Sequence, residues 1–470
     1  VAIVTAIAVV VVLALRGTGQ EQAAPAPTAT PVTAAATTTQ APTPAPTPTP
    51  DIETLLIDAI DRANQAEIDA QRTLDSSVLE GNVTGDALER QLERVESLQN
   101  AGRYRVSAQV SIEYLGFEIA ADGTHAQVET LEVWRGEVYR LGDDVMLYRN
   151  LPDYTPQTYS IEMVEGLWLV EDIEFHYDPG HFPLAEGLEI VYELVEQRDR
   201  ADDVEATVII VLVENNGGSN LATPFVFASF YDEDDKALAH QRAWCSGNPL
   251  EAGGRTLCRS TPTSDRENYP TDWQRYELKP VGTPTDDEPV ALNAVEVNLL
   301  EDPQGNPYIT GWVRNDDDRN ARVYGTPIFY DGKGDPLEGT YTIVAEEGGV
   351  LEPGDTAAFQ VIIPEGWDGS TYGLQWIGNV TGESARTGLT TEYVVQEAGQ
   401  IKGHLRNTSG DVEDYLLVFG LFYDASDQLI GIRTNEEFLT LSPGESEGFT
   451  IDFPSHIAGE DVAGYELIVE

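Results

Sequence analysis

The sequence predicts a multidomain chain: a transmembrane helix and a disordered stalk, then an α+β cone, then three all-β sandwiches. Three observations predict it. The first 15 residues are apolar and uncharged; helical periodicity after residue 51 gives way to period-two alternation; and a pattern of Asn, Phe-Tyr-Asp and a Gly turn recurs three times beyond residue 183.

The run Val1–Leu15 (VAIVTAIAVVVVLAL) would span about 22 Å as a helix, short of the ~30 Å core of a bilayer. Since the chain opens on Val, the run is expected to be the end of a transmembrane anchor, residues 1–16, truncated at its N-terminus. A truncated signal peptide is the competing reading, although no small-residue cleavage site follows directly. Residues 17–50 form the stalk: from Glu21 to Pro50, Ala 9, Thr 9 and Pro 8 make up 26 of 30 positions. Such a segment cannot bury enough apolar area to offset its chain entropy. The formal charge of −54 lies wholly on the remainder, and only four of the 27 basic residues are Lys. A chain without clustered cations is not built to hold a phosphate backbone, so nucleic acid is excluded as a main partner. A polybasic membrane-surface patch is excluded for the same reason. With 41% hydrophobic residues, Trp 7, Tyr 20 and Phe 13, the acidic part is nonetheless folded material.

Residues 51–180 read as one unit. Asp51 is placed to cap a helix whose apolar face is Ile52, Leu55, Leu56, Ala59, Ile60 and Ala63, running to about Leu74. Asp86 begins a second, with Leu88, Leu92, Val95 and Leu98 on one face, ending near Gly102. The period then becomes two. Tyr104, Val106, Ala108, Val110 and Ile112 are expected to share a strand face, followed by strands His125 to Leu141, Thr158 to Val164 and Leu167 to Tyr177. Helices followed by a meander of antiparallel strands predict an α+β cone. The motifs Ala126-x-Val128-Glu129-x-x-Glu132, Tyr159-x-Ile161 and Gly166-Leu167-Trp168-Leu169-Val170-Glu171-Asp172 carry a resemblance. The segment resembles the intermembrane-space (IMS) domain of plastid division proteins, of the wider NTF2-like/SnoaL-like group. That resemblance implies an NTF2-like cone, and some such cones are enzymes with Asp, His or Tyr in the mouth. Tyr104, His125, Tyr159 and Asp172 are the residues here that would take that place; sheet-face and edge packing is the reading the residues favour, since no pair among them has a spacing that chemistry demands.

Self-comparison organises residues 183–470. Asn215, Asn315 and Asn407 each end a strand; Phe230-Tyr231-Asp232, Phe329-Tyr330-Asp331 and Phe422-Tyr423-Asp424 follow, with Asn-to-Tyr spacings of 16, 15 and 16. Leu250-Glu251-Ala252-Gly253, Leu351-Glu352-Pro353-Gly354 and Leu441-Ser442-Pro443-Gly444 come next, and each copy closes on a Tyr-containing strand at Tyr276, Tyr372 or Tyr465. Short alternating strands with regular turns predict antiparallel sandwiches over 183–281, 290–382 and 388–470. The motif resembles the FxLYD domain, an immunoglobulin-like module of bacterial envelope proteins, most cleanly in copy three; copy one lacks the Pro of the Pro-Gly turn. Cys245 and Cys258, 13 apart across one hairpin, suit a disulfide in an oxidising compartment. Two buried thiols are the other reading.

Few residues carry catalytic chemistry. Gly444-Glu445-Ser446-Glu447-Gly448 matches G-x-S-x-G, but that motif works on a strand-to-helix turn with a distant acid and histidine, and here it falls in a sandwich turn. Glu174, His176 and Asp178 alternate along one strand face with His181 beyond; they are the candidate metal ligands, and a solvated edge explains them as well. The acidic turns Asp232–Asp235 and Asn315–Asp318 would bind Ca²⁺ weakly at most, lacking the EF-hand Gly and closing Glu. No other cofactor is expected. Trp312, Trp367 and Trp376 are candidates for sugar stacking or for rim packing.

The expectation is therefore a membrane-anchored, extracytoplasmic, non-enzymatic protein of a cell envelope, binding or scaffolding a protein or polymer partner. The alternatives are a cone that binds or processes a small ligand, with the sandwiches as spacers, and carbohydrate binding by the second sandwich.

Overall fold

Asp51 caps the first helix through the Thr54 amide, which donates to Oδ1 at 2.9 Å. The computed structural model describes residues 51–199, 205–260, 272–337, 341–345, 349–364, 366–369, 371–397, 399–435, 437–457 and 461–470; the expected anchor (1–16) and stalk (17–50) lie outside the described residues. Among the described residues no helix is long and apolar enough to cross a membrane. The fold is mostly β, with two α-helices and several sheets.

Helix α1 (Ile52–Thr73) buries Leu56, Ala59, Ile60 and Ala63, as its periodicity predicts. Helix α2 (Gly85–Asn100) buries Val95 and packs Leu88 on the core as expected, but its inward face also takes Ala87 and Gln91 and leaves Leu92 exposed. The helix starts in close approach to β4, where Gly85 lies so near Glu171 that a Cβ would stand 2.9 Å from its atoms, at a φ of +52°. Both helices pack on a four-stranded antiparallel meander, β1 (Arg103–Ile119), β2 (His125–Arg140), β3 (Met146–Val164) and β4 (Leu167–Phe175). The alternation expected along β1 fails at two bulges, between Gln109 and Ser111 and between Tyr114 and Gly116. Each bulge shifts the side-chain parity, so Val110 faces outward while Ile112, Tyr114 and Phe117 reach the core. Strand β3 begins twelve residues before the expected Thr158.

Among the described residues the rest is built mainly from strands, with a short 3₁₀ turn at Pro179–His181. Copy one has β5 (Leu188–Asp199), β6 (Glu205–Asn215), β7 (Asn220–Tyr231), β8 (Ala237–Cys245), β9 (Arg255–Ser260) and β10 (Arg275–Thr285). Copy two has β11 (Leu292–Glu301), β12 (Pro307–Asn315), β13 (Ala321–Tyr330), β14 (Pro336–Leu337), β15 (Tyr341–Ala345), β16 (Thr356–Ile362) and β17 (Thr371–Val380). Copy three has β18 (Leu389–Glu397), β19 (Gln400–Asn407), β20 (Glu413–Leu416), β21 (Val418–Tyr423), β22 (Leu429–Thr434), β23 (Leu439–Leu441), β24 (Ser446–Asp452) and β25 (Gly464–Val469). In copies two and three separate sheets share an apolar cluster; in copy one β8 pairs with β9 and joins the strands into one six-stranded sheet.

The repeated residues do the same work in each copy. The motif Phe is fully buried and stands opposite the closing Tyr: Phe230 with Tyr276, Phe329 with Tyr372, Phe422 with Tyr465. The motif Asp closes its hairpin turn: Asp232 Oδ1 accepts the amides of Asp234 and Lys236, Asp331 those of Lys333 and Asp335, and Asp424 those of Ser426 and Gln428. The Asn is a buried latch. Asn407 Nδ2 donates to the carbonyls of Asp411 (2.7 Å) and Leu441 (3.0 Å), and its Oδ1 accepts the Ser409 amide. Asn215 and Asn315 repeat this with Leu250 and Leu351. Each thereby ties the end of its strand to the Gly turn about 35 residues away.

A second fixed pair lies five residues after the turn Gly. Phe359 and Phe449 lie over Gly311 and Gly403, where a Cβ would come within 2.8 and 2.7 Å of the ring. In copy one Val211 and Cys258 replace Gly and Phe, and Cys258 bonds to Cys245 directly across the β8–β9 pair.

Alternate residues of each motif strand face the preceding module. Phe225 and Phe227 pack with Phe182 and Tyr154; Ile328 and Tyr330 with Ile210, Leu212 and Leu257; Phe419, Leu421 and Tyr423 with Trp312, Ile343 and Ala358. Hydrogen bonds cross these junctions, including Thr310 Oγ1 to the Leu429 carbonyl (2.7 Å) and the Ile432 amide to Gln360 Oε1 (2.7 Å). The start of β3 also meets copy two, where Thr381 Oγ1 donates to the Met146 and Leu147 carbonyls.

Candidate functional site

A pocket of about 180 Å³ lies between the two helices and the meander. Period-two alternation along β2 sends Val128, Thr130 and Glu132 inward, and all three are buried. Glu132 is wholly buried and collects donors from three strands and a helix. Tyr159 Oη, Gln109 Nε2 and Trp134 Nε1 each stand 2.7 Å from its carboxylate, Thr130 Oγ1 3.2 Å and Asn64 Nδ2 3.4 Å. Such saturation is what a carboxylate needs in a low-dielectric interior. Burial first, and Glu132 second, push the Tyr159 phenol well above its ordinary value, so it stays a donor.

Asn64, Gln157, Tyr159 and Trp134 reach the pocket from this network. On the helix side the cations are mostly engaged: Arg94 donates to Glu67 at 2.7 Å and Arg90 to Asp172 at 2.5 Å. Arg105 differs. Its guanidinium lies over Gly136, 2.9 Å from where a Cβ would be, and its Nε is buried without a hydrogen-bond partner. Burial lowers its proton affinity, and the neighbouring Arg94 lowers it further. With apolar wall from Ala87, Ile173 and Phe175, the arrangement suits a small molecule with one polar and one apolar end.

Of the four cone-mouth residues expected from sequence, only Tyr159 lines this pocket. Asp172 acts at one remove through Arg90. Tyr104 stacks on Tyr139 and bonds Asp144, and His125 is exposed beside Asp122 in the β2 hairpin turn. Glu132, Asn64 and Arg105 are not among the site residues expected from sequence; the available signal is a carboxylate at the core parity of β2.

The candidate metal ligands are partly brought together. His176 stacks on His181 at 4.4 Å, and His181 Nδ1 lies 2.7 Å from Asp178 Oδ2, but His176 Nε2 faces Thr158 Oγ1. Glu174 sits on β4 opposite Thr158. Among the described residues no group of three or more His, Cys, Asp or Glu is placed to hold a metal ion. The acidic turns spend their carboxylates otherwise: Asp232 on turn amides, Asp316 and Asp317 on Arg314 and Arg319. Gly444–Gly448 leads into β24 rather than a helix, in the turn latched by Asn407. The three tryptophans form no common platform. Trp367 packs edge-on against Phe329, Trp376 against Phe359, and Trp312 lies on the other side of β12 in the junction with copy three. The packing that holds each ring is why they do not present together.

Among solved structures, the chain is similar to the crystal structure of the intermembrane space region of chloroplast protein ARC6. The identity is 14%, covering 28% of this chain and 100% of that one, at a TM-score of 0.25. No family model matches the chain. No curated protein matches it either.

Proposed function

We propose that the chain is a non-enzymatic, membrane-anchored scaffolding or binding protein of the extracytoplasmic envelope. Residues 51–180 are read as an NTF2-like, IMS-like cone, and the three repeats as FxLYD-like, immunoglobulin-like sandwiches, carried on the anchor and stalk. The observation behind this reading is the docking of each motif strand on the module before it. A scaffold must hold its surface loops at fixed separations, and apolar junctions crossed by hydrogen bonds do that where flexible linkers would not. The partner is an envelope protein or polymer, engaged through exposed loops and edge strands. Affinity capture with the full chain from envelope extract, with and without EDTA, is expected to retain a defined partner; retention of none under both conditions overturns the reading.

A second reading has its own observation, the polar pocket with Glu132 and Arg105. In it the cone binds a small ligand and the sandwiches hold it clear of the bilayer. A thermal-shift screen of small carboxylates, amides and alcohols should find stabilisers of the full chain that Arg105→Gln abolishes. A screen without any stabiliser removes this reading.

A further inference from the structure

Four arginines that are far apart in sequence meet at one cavity. Arg103 opens β1, Arg140 ends β2, Arg322 lies on β13 and Arg386 follows β17; together they line a space of about 720 Å³ where the helical unit meets copy two. The only carboxylate in that lining is Glu383. In a chain with three acids for every base, a lining of this composition stands out, although Asp143 and Glu413 also pair with Arg140 and Arg386 from its rim.

Three of the four arginines are held by acceptors of the chain. Glu383 accepts Arg140 at 2.5 Å on one oxygen and Arg322 at 2.6 Å on the other. Arg386 donates to the Asp414 carbonyl at 3.1 Å and lies 3.8 Å from Glu413. The Arg103 side chain makes no hydrogen bond or ion pair with any described residue. Asn379 adds an amide to the wall. Guanidinium groups match oxyanions in pairs of parallel hydrogen bonds, and three of these four are already positioned by the chain. The surrounding acidic surface repels long polyanions over distances near the ~8 Å Debye length, so the site favours a compact ligand over a polymer.

We propose that this junction cavity binds a small multivalent oxyanion of the phosphate class, free or as the phosphate of a small ester. Glu383 is then a positioning residue that gathers Arg140 and Arg322 and competes with the ligand for them. Occupancy would tie the helical unit to copy two, since Arg103 and Arg140 come from one and Arg322 from the other.

The test is calorimetric titration of the full chain with pyrophosphate and, separately, glucose 1-phosphate, which distinguishes the free anion from the ester. One of the two is expected to bind at a single site, and Arg103→Gln should weaken it about tenfold with an unchanged melting temperature. Arg386→Gln provides a second variant with the same expected loss. Glu383→Gln, by removing the competing charge, should tighten binding about threefold. Absence of heat with both ligands, or binding that Arg103→Gln and Arg386→Gln leave undiminished, overturns the proposal.

Discussion

The helical unit and the repeated motif of the sandwiches bury polar groups in opposite ways. Each sandwich admits one wholly buried Asn, whose amide bonds only to backbone within its own copy. The helical unit instead builds a side-chain network around Glu132, drawing on α1, β1, β2 and β3, and leaves it open to a pocket. A latch to backbone can be copied with the segment that contains it. A side-chain network depends on every contributor at once.

The largest expected effect tests the latch. Asn407→Ala strands two carbonyls and an amide in the core of copy three, and should cost about 4 kcal/mol in urea unfolding. A loss below 1 kcal/mol would mean water replaces the amide. Next comes the feature that separates copy one from its sisters: Cys245→Ser with Cys258→Ser opens a loop of 13 residues, with an expected loss of about 3 kcal/mol. No such loss is expected from reducing agent in a fragment-free preparation of the double variant, which serves as the control.

The network is tested by Glu132→Gln. All five neighbours donate to the carboxylate, so an amide NH₂ in its place faces donors and should cost about 2 kcal/mol. An unchanged midpoint would show that the donors can turn away.

The smallest effect lies at the junction of helical unit and copy one. Burial pushes the Asp153 carboxyl up to about 6, while the nearby Arg242 partly offsets it. Because its folded value lies above the unfolded one, the native state binds the proton more readily, and this group's contribution to stability rises as pH falls from about 6 towards 3.8. Above pH 6 the buried charge is a cost. Asp153→Asn should therefore stabilise the chain by about 1 kcal/mol at pH 8 and flatten its pH profile between 4 and 6, the gain being limited because Arg242, enclosed by Tyr177, Phe182, Phe225, Phe227 and Trp244, loses its counter-charge. A pH profile no flatter than that of the unchanged chain would exclude Asp153 as its source.

Much of this fold was legible in the chain because the informative signals are local. The Asp51 cap, the α1 face, the turns and the motif Asp residues all act within a few positions of themselves. The departures lie where elements distant in sequence meet. The start of α2 is pressed against Glu171, and the bulges that leave Val110 outward occur in the pairing of β1 with β2. The pocket was only partly legible. Tyr159 and Glu132 lie in separate motifs with no spacing that joins them, and Arg105 carries no signal except through Gly136, thirty-one residues on.

The sequence by itself determined the order of modules, the threefold recurrence and which motif residue serves core and turn, since periodicity and spacing encode what neighbours in the chain can do. The acidic balance of −54 likewise belongs to composition alone. Only the tertiary structure decided that the motif strands are covered on both faces, that the tryptophans are separated, and that four arginines share one cavity. Those outcomes depend on which surfaces meet across modules, and contact between residues hundreds of positions apart leaves no trace in local spacing.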